Sequence, residues 1–175
     1  EDDWLHRRPV VERMIARKLG VSKEPRYNAR SLELGKVTAK EARTFLEDNH
    51  IPGFATGSWY GTLQDDQGIK ALLVMRKTNK KGEFYLDRFA TSGIVRGGFS
   101  KLFKAFVKEF HPSKITTFSD TGVSDGSLYK KLGFEEDGEL EPDYSYIVSG
   151  RRVHKFRYRK SKFKNDPTLK YEEGK

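Results

Sequence analysis

The sequence predicts a mixed α/β fold in which a mixed sheet is flanked by helices. Segments with apolar residues at helical spacing alternate with short segments of strand character. Their order is strand, helix, three strands, helix, strand, helix and two strands. With 175 residues, the chain can bury one core and has little left for a second domain. It contains no cysteine, which excludes a disulfide framework and a thiolate metal site.

The first elements are a helix, a linker, a strand and a capped helix. A helix is predicted over 8–19, and residues 21–28 have the composition of a linker. A strand is predicted over 29–37. Thr38 and Glu41 then form a capping box, in which each side chain accepts from a free backbone donor of the other residue. This pair predicts the start of the next helix.

Three strands joined by hairpin turns follow, over 58–63, 69–76 and 84–91. An apolar stripe at helical spacing then predicts a helix over 99–110. The run 115–118 is short, apolar at both ends and flanked by polar residues, which is typical of a buried central strand.

The C-terminal part of the sequence predicts a short helix and a closing hairpin. The helix is expected over 125–132, and the hairpin strands over 144–148 and 153–159. We expect three segments in all: a helical lead-in (1–28), the main domain (29–160) and a charged tail (161–175).

A net charge of +9 predicts an anionic partner. Its strongest local source is Gly150–Lys164, which has eight basic residues and no acidic one. On a strand, His154 and Phe156 would face one way and Lys155 and Arg157 the other, so that a row of charge could follow a phosphate backbone of DNA or RNA. The alternative is a solvated edge strand that its charges protect from aggregation. The residues expected to bind nucleic acid are Arg151, Arg152, Lys155, Arg157, Arg159, Lys160 and Lys162, and the helix cations Arg7, Arg8, Arg13, Arg17 and Lys18 would extend that surface.

A turn built on two glycines leads into the helix at 99–110. Gly97 and Gly98 could leave backbone donors bare for a phosphate, with Ser100 and Lys101 adding a hydroxyl and a charge at the helix N-terminus. Arg96 precedes the turn. The alternative is that a tight connection between strand and helix simply needs glycine.

Three further side chains have both a functional and a structural interpretation. Asp120 could act as a base or orient an amine, or it could cap its loop. Tyr129 could donate a proton, or it could be a core tyrosine between Leu128 and Leu132. His50 could be a base or a metal ligand, or it could be a helix cap. No spacing of His, Asp and Glu resembles a metal site. The sequence also has no apolar run that could span a membrane, so we expect a soluble, intracellular protein.

The turn, strand and tyrosine-bearing helix resemble the core of the GCN5-related N-acetyltransferase (GNAT) fold. That resemblance implies a GNAT-like acyltransferase fold, with the pyrophosphate of acetyl-CoA or another acyl-CoA held at the turn and Tyr129 protonating the departing thiolate. The usual acetyltransferase turn reads Arg/Gln-x-x-Gly-x-Gly/Ala. This chain departs from it because Phe99 occupies a position inside the turn.

The sequence is similar over nearly its whole length to the C-terminal GNAT-like domain of phage homing-endonuclease-type proteins. The matching motifs are His50-Ile-Pro-Gly53, Arg88-Phe89, Gly97-Gly-Phe-Ser-Lys-Leu102, Phe118-Ser-Asp120 and Gly126-Ser-Leu-Tyr-Lys-Lys-Leu-Gly-Phe134. Residues 1–4 resemble the last strand of a preceding nuclease domain, and the resemblance places the protein in the cytoplasm of an infected bacterium. Mom-type DNA-modification proteins look like more distant relatives, matched at His50, Ser119-Asp120 and Tyr129.

Three functions are compatible with these observations, and the last of them is a degenerate GNAT scaffold used only for protein contacts. The first is a DNA-binding GNAT-like module that contacts phosphates through the basic C-terminal strand. The second is an enzyme, an acyl-CoA-dependent or Mom-like transferase that modifies a nucleic-acid base or an amine. In the second, Arg96, Gly97, Gly98, Ser100 and Lys101 would hold the cofactor, and Asp120, Tyr129 and His50 would be the catalytic candidates.

Overall fold

A computed structural model describes residues 2–120, 122, 124, 126–141 and 144–158. The chain divides into two compact units. The larger is Arg7–Glu135, and the smaller joins the first six residues to the segment that follows Glu135.

The helices and strands are numbered along the chain. The helices are α1 Asp2–His6, α2 Arg8–Lys18, α3 Ala39–Asn49, α4 Gly98–Phe110 and α5 Ser127–Lys130. The strands are β1 Arg26–Asn28, β2 Glu33–Lys36, β3 Trp59–Asp65, β4 Gly68–Lys77, β5 Glu83–Thr91, β6 Ile94–Arg96, β7 Lys114–Thr117, β8 Ser145–Val148 and β9 Arg151–His154. Two 3-10 turns span Ala29–Ser31 and Lys155–Tyr158.

The larger unit is built on a mixed five-stranded sheet in the order β2-β3-β4-β5-β7. Only β5 and β7 run parallel, and β1 and β6 form a separate parallel pair. The mixed sheet flanked by helices confirms the predicted fold class. The prediction of a buried central strand at 115–118 is wrong, because β7 is the outermost strand of this sheet and Phe118 is exposed. A short apolar run does not show how many of its sides are covered.

The two faces of the sheet carry separate cores. Leu102 and Phe106 of α4 pack on one face against Leu73 and Met75 of β4. Leu46 of α3 packs on the other face with Ala42 and Phe45 of the same helix and with Leu72 and Val74 of β4. The capping box of Thr38 and Glu41 is confirmed, since the Glu41 backbone N–H donates to Thr38 Oγ1 and Thr38 N–H donates to the Glu41 carboxylate. The strand predicted over 29–37 is shorter, because Asn28 caps a 3-10 turn at Ala29–Ser31.

Strand β5 contains a bulge of one residue. Val74 pairs with Arg88 and Met75 with Leu86, which leaves Asp87 without a partner on β4. An extra residue reverses the facing of every residue that follows. In a regular strand Leu86 and Ala90 would share a face, because they are four residues apart. With the bulge between them, Leu86 belongs to the core under α4 and Ala90 to the core under α3. Asp87 and Arg88 both lie on the α3 face.

The smaller unit contains α1 and the antiparallel hairpin of β8 and β9. Strand β9 ends at His154, and Lys155–Tyr158 form a 3-10 turn. The predicted alternation of Lys155 and Arg157 along one face of a strand is therefore wrong. The ring of His154, at the end of β9, stacks on the ring of Phe156 in this turn, with the ring centres 4.6 Å apart. The strand predicted at residues 1–4 is also wrong, because Asp2–His6 is helical.

Most of the α2 cations already have partners inside the larger unit. Arg7 pairs with Glu47, Arg8 with Glu12, and Arg13 donates to the Asp48 carbonyl. Arg17 donates two bonds to Glu24, of 2.6 and 2.7 Å, and reaches Thr91 and Gly93 at the β5–β6 connection. Arg7, Arg13 and Arg17 thereby hold α2 against the rest of the larger unit, which weakens the predicted extension of a DNA-binding surface over α2.

We predict that Arg17→Gln lowers the free energy of unfolding by about 2 kcal/mol, because it removes several bonds to a charged donor. The Arg17 bonds hold the pKa of Glu24 below its ordinary value. A carboxyl group with a lowered folded pKa stabilises above its unfolded pKa and loses that contribution as the pH falls through the folded pKa. The deficit of Arg17→Gln in urea unfolding should therefore shrink in acid. Lys36→Gln, which breaks the exposed pair with Glu109, is the control and should cost about 0.5 kcal/mol or less at either pH.

Candidate functional site

The candidate site lies where β5 and β7 part. Their parallel pairing ends at Leu86 and Thr117, and the Thr117 hydroxyl donates to the Leu86 carbonyl at 3.1 Å. Strand β5 continues to Thr91 without β7 beside it. Parallel strands that part at their C-terminal ends leave an uncovered strand edge there, which is where ligands lie in α/β sheets.

The two glycines at the turn between β6 and α4 are required for different physical reasons. Gly97 is the N-cap of α4, has φ +72° and is exposed, and no side chain caps the helix. Gly98 is buried, and a Cβ there would lie 2.8 Å from Val95 Cγ1. Gly97 is thus required by its left-handed backbone and Gly98 by the close approach of β6. The first backbone N–H groups of α4 have no capping side chain, which is the arrangement that attracts anions.

Phe99 does not obstruct the outer side of this turn. Its side chain is only 3% exposed and lies in the core under α4. The Phe99 ring contacts Phe89 edge-on at 5.0 Å, stacks near Phe103 at 6.0 Å and meets Tyr129 at 5.8 Å. The bulky residue therefore fills space behind the turn and leaves Gly97 open to solvent.

Of the polar residues predicted at the turn, Lys101 has an internal role. Its ammonium donates to the carbonyls of Ala29 and Leu32, at 2.9 and 2.7 Å. Lys101 thereby holds the 3-10 turn against α4. Ser100 is partly buried at the helix N-terminus, and Arg96 is exposed.

Arg96 belongs to a group of three exposed arginines that we call the arginine rim, Arg26, Arg30 and Arg96. The register of β1 and β6 puts Asn28 beside Arg96, and Arg26 lies two residues before Asn28 on the same side. Tyr27 and Val95 point the other way, into the core. Arg30 lies in the 3-10 turn that begins at Ala29. This turn is close to the glycine turn, because a Cβ placed on Gly97 would lie 3.8 Å from the Ala29 Cβ.

No acidic side chain within the described residues pairs with the rim arginines. The Asn28 carboxamide oxygen accepts a hydrogen bond from the backbone N–H of Arg30. This bond does not involve the Arg30 guanidinium, and Arg30 is exposed. Three exposed cations beside an uncapped helix N-terminus make this a surface that attracts anions.

The other predicted catalytic residues take different positions. Asp120 is exposed and accepts from the Gly122 backbone N–H at 2.9 Å, and its own carbonyl accepts from Ser124 N–H at 2.8 Å. Asp120 thus organises the loop after β7. Tyr129 lies on α5, partly buried, with its ring edge-on to Phe99 and Phe134. Both residues follow β7, on the side where it parts from β5.

His50 ends α3 and lies near Arg88 of the β5 bulge. Its ring Nδ1 is buried and has no hydrogen-bond partner among the described residues. Burial, and then the positive charges of Arg88 and Arg7, lower the pKa of His50 to about 4. The imidazole is therefore neutral at pH 7.

The predicted nucleic-acid-binding residues lie in the smaller unit or outside the described residues. Arg151 and Arg157 are exposed, Arg152 lies 4.0 Å from the Asp3 carboxylate, and the Lys155 ammonium lies 5.2 Å from the Tyr144 ring centre. Arg159, Lys160 and Lys162 fall outside the described residues. Within the part of the chain that the structure describes, no group of three His, Asp or Glu side chains could hold a metal ion, and no helix is long and apolar enough to cross a membrane.

Sequence reasoning did not identify Arg26, Arg30, Asp87 or Arg88 as site residues. The bulge had one visible signal, because the apolar positions Phe84 and Leu86 are followed by Phe89 at the opposite parity. The rim had none, since it depends on a parallel pairing of β1 with β6 across 66 residues or more.

Comparison with known proteins supports the fold. A GNAT-family acetyltransferase from Streptococcus pneumoniae TIGR4 superposes with a TM-score of 0.50 and 11% identity, over 64% of this chain and 98% of the other. The fold is that of the GNAT acetyltransferases. A ribosomal-protein-alanine N-acetyltransferase from Brucella melitensis biovar Abortus 2308 is also similar, with a TM-score of 0.47, 11% identity and 65% and 99% coverage. Neither a protein-family model nor a curated protein matches the sequence.

We predict that Gly98→Ala destabilises this GNAT-like domain by about 1–3 kcal/mol, because the new methyl group overlaps Val95. The Val95→Ala and Gly98→Ala double variant should recover part of that loss. A double-mutant cycle of urea unfolding then gives a coupling of at least about 0.5 kcal/mol. Additive losses would show that steric contact with β6 does not decide the glycine.

Proposed function

We propose that this protein is a GNAT-type acyltransferase that binds acyl-CoA at the turn between β6 and α4 and transfers the acyl group to an amine. The observation that carries the proposal is the arginine rim beside the uncapped N-terminus of α4, next to the parting of β5 and β7. The GNAT fold supports it, because the solved neighbours include acetyltransferases.

The residues present fit the phosphates of CoA. The backbone N–H groups of the first α4 turn would donate to the pyrophosphate, and Arg96 would add a charge. Arg26 and Arg30 suit a further phosphate because they are exposed and have no acidic partner among the described residues. Phe99 points into the core and leaves this surface free.

Acyl-CoA would supply a thioester carbonyl for attack by an amine. The uncovered edge of β5 beyond Leu86 offers backbone groups that could hold an extended chain by strand-like hydrogen bonds. Tyr129 is the candidate acid for the departing thiolate, and Asp120 the candidate for orienting the amine. Both follow β7 and so lie on elements that border the parting.

DNA binding through the basic hairpin remains a prediction that rests on charge. The loss of strand alternation after His154 removes the regular row of cations that favoured it. The described part of the smaller unit also carries Glu136, Asp137, Glu139 and Glu141 just before the hairpin. These acids weaken the electrostatic argument for DNA binding. The phage, homing-endonuclease and Mom-type contexts also stay predictions.

We predict that acetyl-CoA binds the purified protein and that Arg96→Glu raises its Kd by roughly 10- to 100-fold. A charge-assisted bond to phosphate contributes about 1.5–3 kcal/mol, and charge reversal adds repulsion. Isothermal titration calorimetry measures this directly. Lys81→Glu, an exposed change of the same sign in the β4–β5 turn, is the matched control and should leave the Kd within about twofold. Absence of binding to the unaltered protein, or equal losses in the two variants, would contradict the proposal.

We predict that Tyr129→Phe lowers kcat for acetyl transfer by roughly 10²- to 10⁴-fold and leaves the Kd of acetyl-CoA unchanged. The ring contacts with Phe99 and Phe134 are kept, so that only the hydroxyl group is removed. Thiol release from acetyl-CoA with a primary amine, followed as a function of pH, reports the loss. An unchanged kcat would assign Tyr129 to the core alone.

A further inference from the structure

The α3 face of the larger unit contains a guanidinium group that forms no direct ion pair within the described residues, that of Arg88. Arg88 is half-buried, and its Nε donates to the Gly53 carbonyl at 3.3 Å and its Nη1 to the Asp87 carbonyl at 2.7 Å. An arginine has five N–H donors, so three remain beyond these two bonds. No carboxylate within the described residues pairs with Arg88.

The neighbouring carboxylates are already engaged by other arginines. Asp87 accepts from Arg76 Nε at 2.6 Å and from Arg76 Nη2 at 2.9 Å. Glu47 pairs with Arg7 and accepts from the Phe54 backbone N–H. Arg88 therefore has no direct ion pair within the described residues, and only the longer-range attraction of the Asp87 carboxylate offsets its charge.

His50 lies beside Arg88. The turn from His50 to Gly53 connects them, because Gly53 N–H donates to the His50 carbonyl at 2.9 Å and the Gly53 carbonyl accepts from Arg88. The His50 Nδ1 is buried without a partner among the described residues. The charged groups around the ring are Arg88 from β5, Arg7 before α2 and Glu47 from α3, and the two arginines depress its pKa.

A buried polar atom without a partner needs a physical explanation, and a ligand supplies one. A neutral imidazole can donate one N–H, and a guanidinium fork matches the two oxygens of a carboxylate or the oxygens of a phosphoryl group. Both groups can therefore donate hydrogen bonds to the same kind of ligand, an anionic group with oxygen acceptors.

The position of Arg88 relates this chemistry to the candidate site. Arg88 comes two residues after Leu86, where β7 leaves β5, and the bulge turns it to the α3 face. The glycine turn and α4 lie on the opposite face of the sheet. An anchor on the α3 face is thus available to a second substrate.

We propose that Arg88 and His50 form an anchoring site for a carboxylate or phosphoryl group on the acyl acceptor. The part of this inference that concerns the acceptor rests on the proposed acyltransferase function. The acceptor is then an amine that carries an acidic group. Arg88 and His50 bind and orient it, and neither residue exchanges a proton with the reacting atoms.

The anion site can be tested without acyl-CoA. The sequence has four histidines, and His50→Gln assigns the ring signal of His50 in a proton NMR titration. Formate or phosphate, compared with chloride at equal ionic strength, should raise the pKa of His50 from about 4 by about 1 unit or more, because a nearby negative charge favours the imidazolium. A response to formate alone identifies a carboxylate site, and a response to phosphate alone a phosphoryl site. Shifts no larger than with chloride would overturn the proposal.

Matched variants show whether the response belongs to Arg88. Arg88→Gln should abolish it, and Arg88→Lys, which keeps the charge and loses the fork, should weaken it. Arg151→Gln removes an exposed arginine of the smaller unit and should leave it unchanged. If Arg88→Gln fails to fold, Arg88→Lys makes the same comparison. Equal responses in Arg88→Lys and the unaltered protein would overturn the role of the fork.

Acceptor preference is then measured with acetyl-CoA and two pairs of amines. β-Alanine should be acetylated with a kcat/KM at least about tenfold above that of propylamine, or phosphoethanolamine above ethanolamine, and Arg88→Gln should remove the preference. If acetyl-CoA does not bind, the acyltransferase fails while the NMR response still decides the anion site. If transfer occurs without preference for acidic amines, the acceptor role falls and the acyltransferase stands.

Discussion

The bulge at Asp87 is the constraint on which both sides of the candidate site depend. A sheet with a core on each face fixes which residues of a strand point to each face, and one extra residue in β5 reverses that assignment midway. Before the bulge, Phe84 and Leu86 fill the core under α4; after it, Phe89 does so and meets Phe99. The same step places Asp87 and Arg88 together on the α3 face. Without the bulge, Arg88 would point into the apolar core and Phe89 toward α3.

The net charge of +9 says less about possible binding partners than the positions and contacts of the individual cations do. The α2 arginines of the larger unit are held by carboxylates or backbone carbonyls, and Lys101 is held by two carbonyls. These cations position elements and offer little to a partner. The arginine rim and Arg88 lack acidic partners within the described residues, so their charges are available to a ligand. Sequence composition counts both classes alike, and only packing separates them.

Local signals predicted the elements well, and non-local contacts explain what they missed. The capping box at Thr38, the hairpin turns and the apolar stripe of α4 are each specified by residues a few positions apart, and each is present. The edge position of β7 and the rim at Arg96 depend on strand pairings between distant residues, which periodicity does not encode. The break after His154 is a local exception, because the alternation of charged and aromatic residues fits a strand but the chain folds into a 3-10 turn. The glycines of the turn were foreseen, although Gly98 is explained by its contact with β6.

The two cationic regions lie on different elements, the β1–β6 pair with the 3-10 turn and the α3 face of the five-stranded sheet, and this placement constrains what the protein could bind. A single long polyanion such as DNA would favour cations aligned along one surface. Here the rim lies at the N-terminal end of α4, whereas Arg88 lies under α3, where its guanidinium is half-buried and closely surrounded by the His50–Gly53 turn. The rim is open and suits phosphates that remain partly hydrated. Arg88 and the unpartnered ring nitrogen of His50 suit one small group removed from water. The two proposed anion sites, which differ in exposure and chemistry, are therefore better matched to two small ligands than to one continuous duplex.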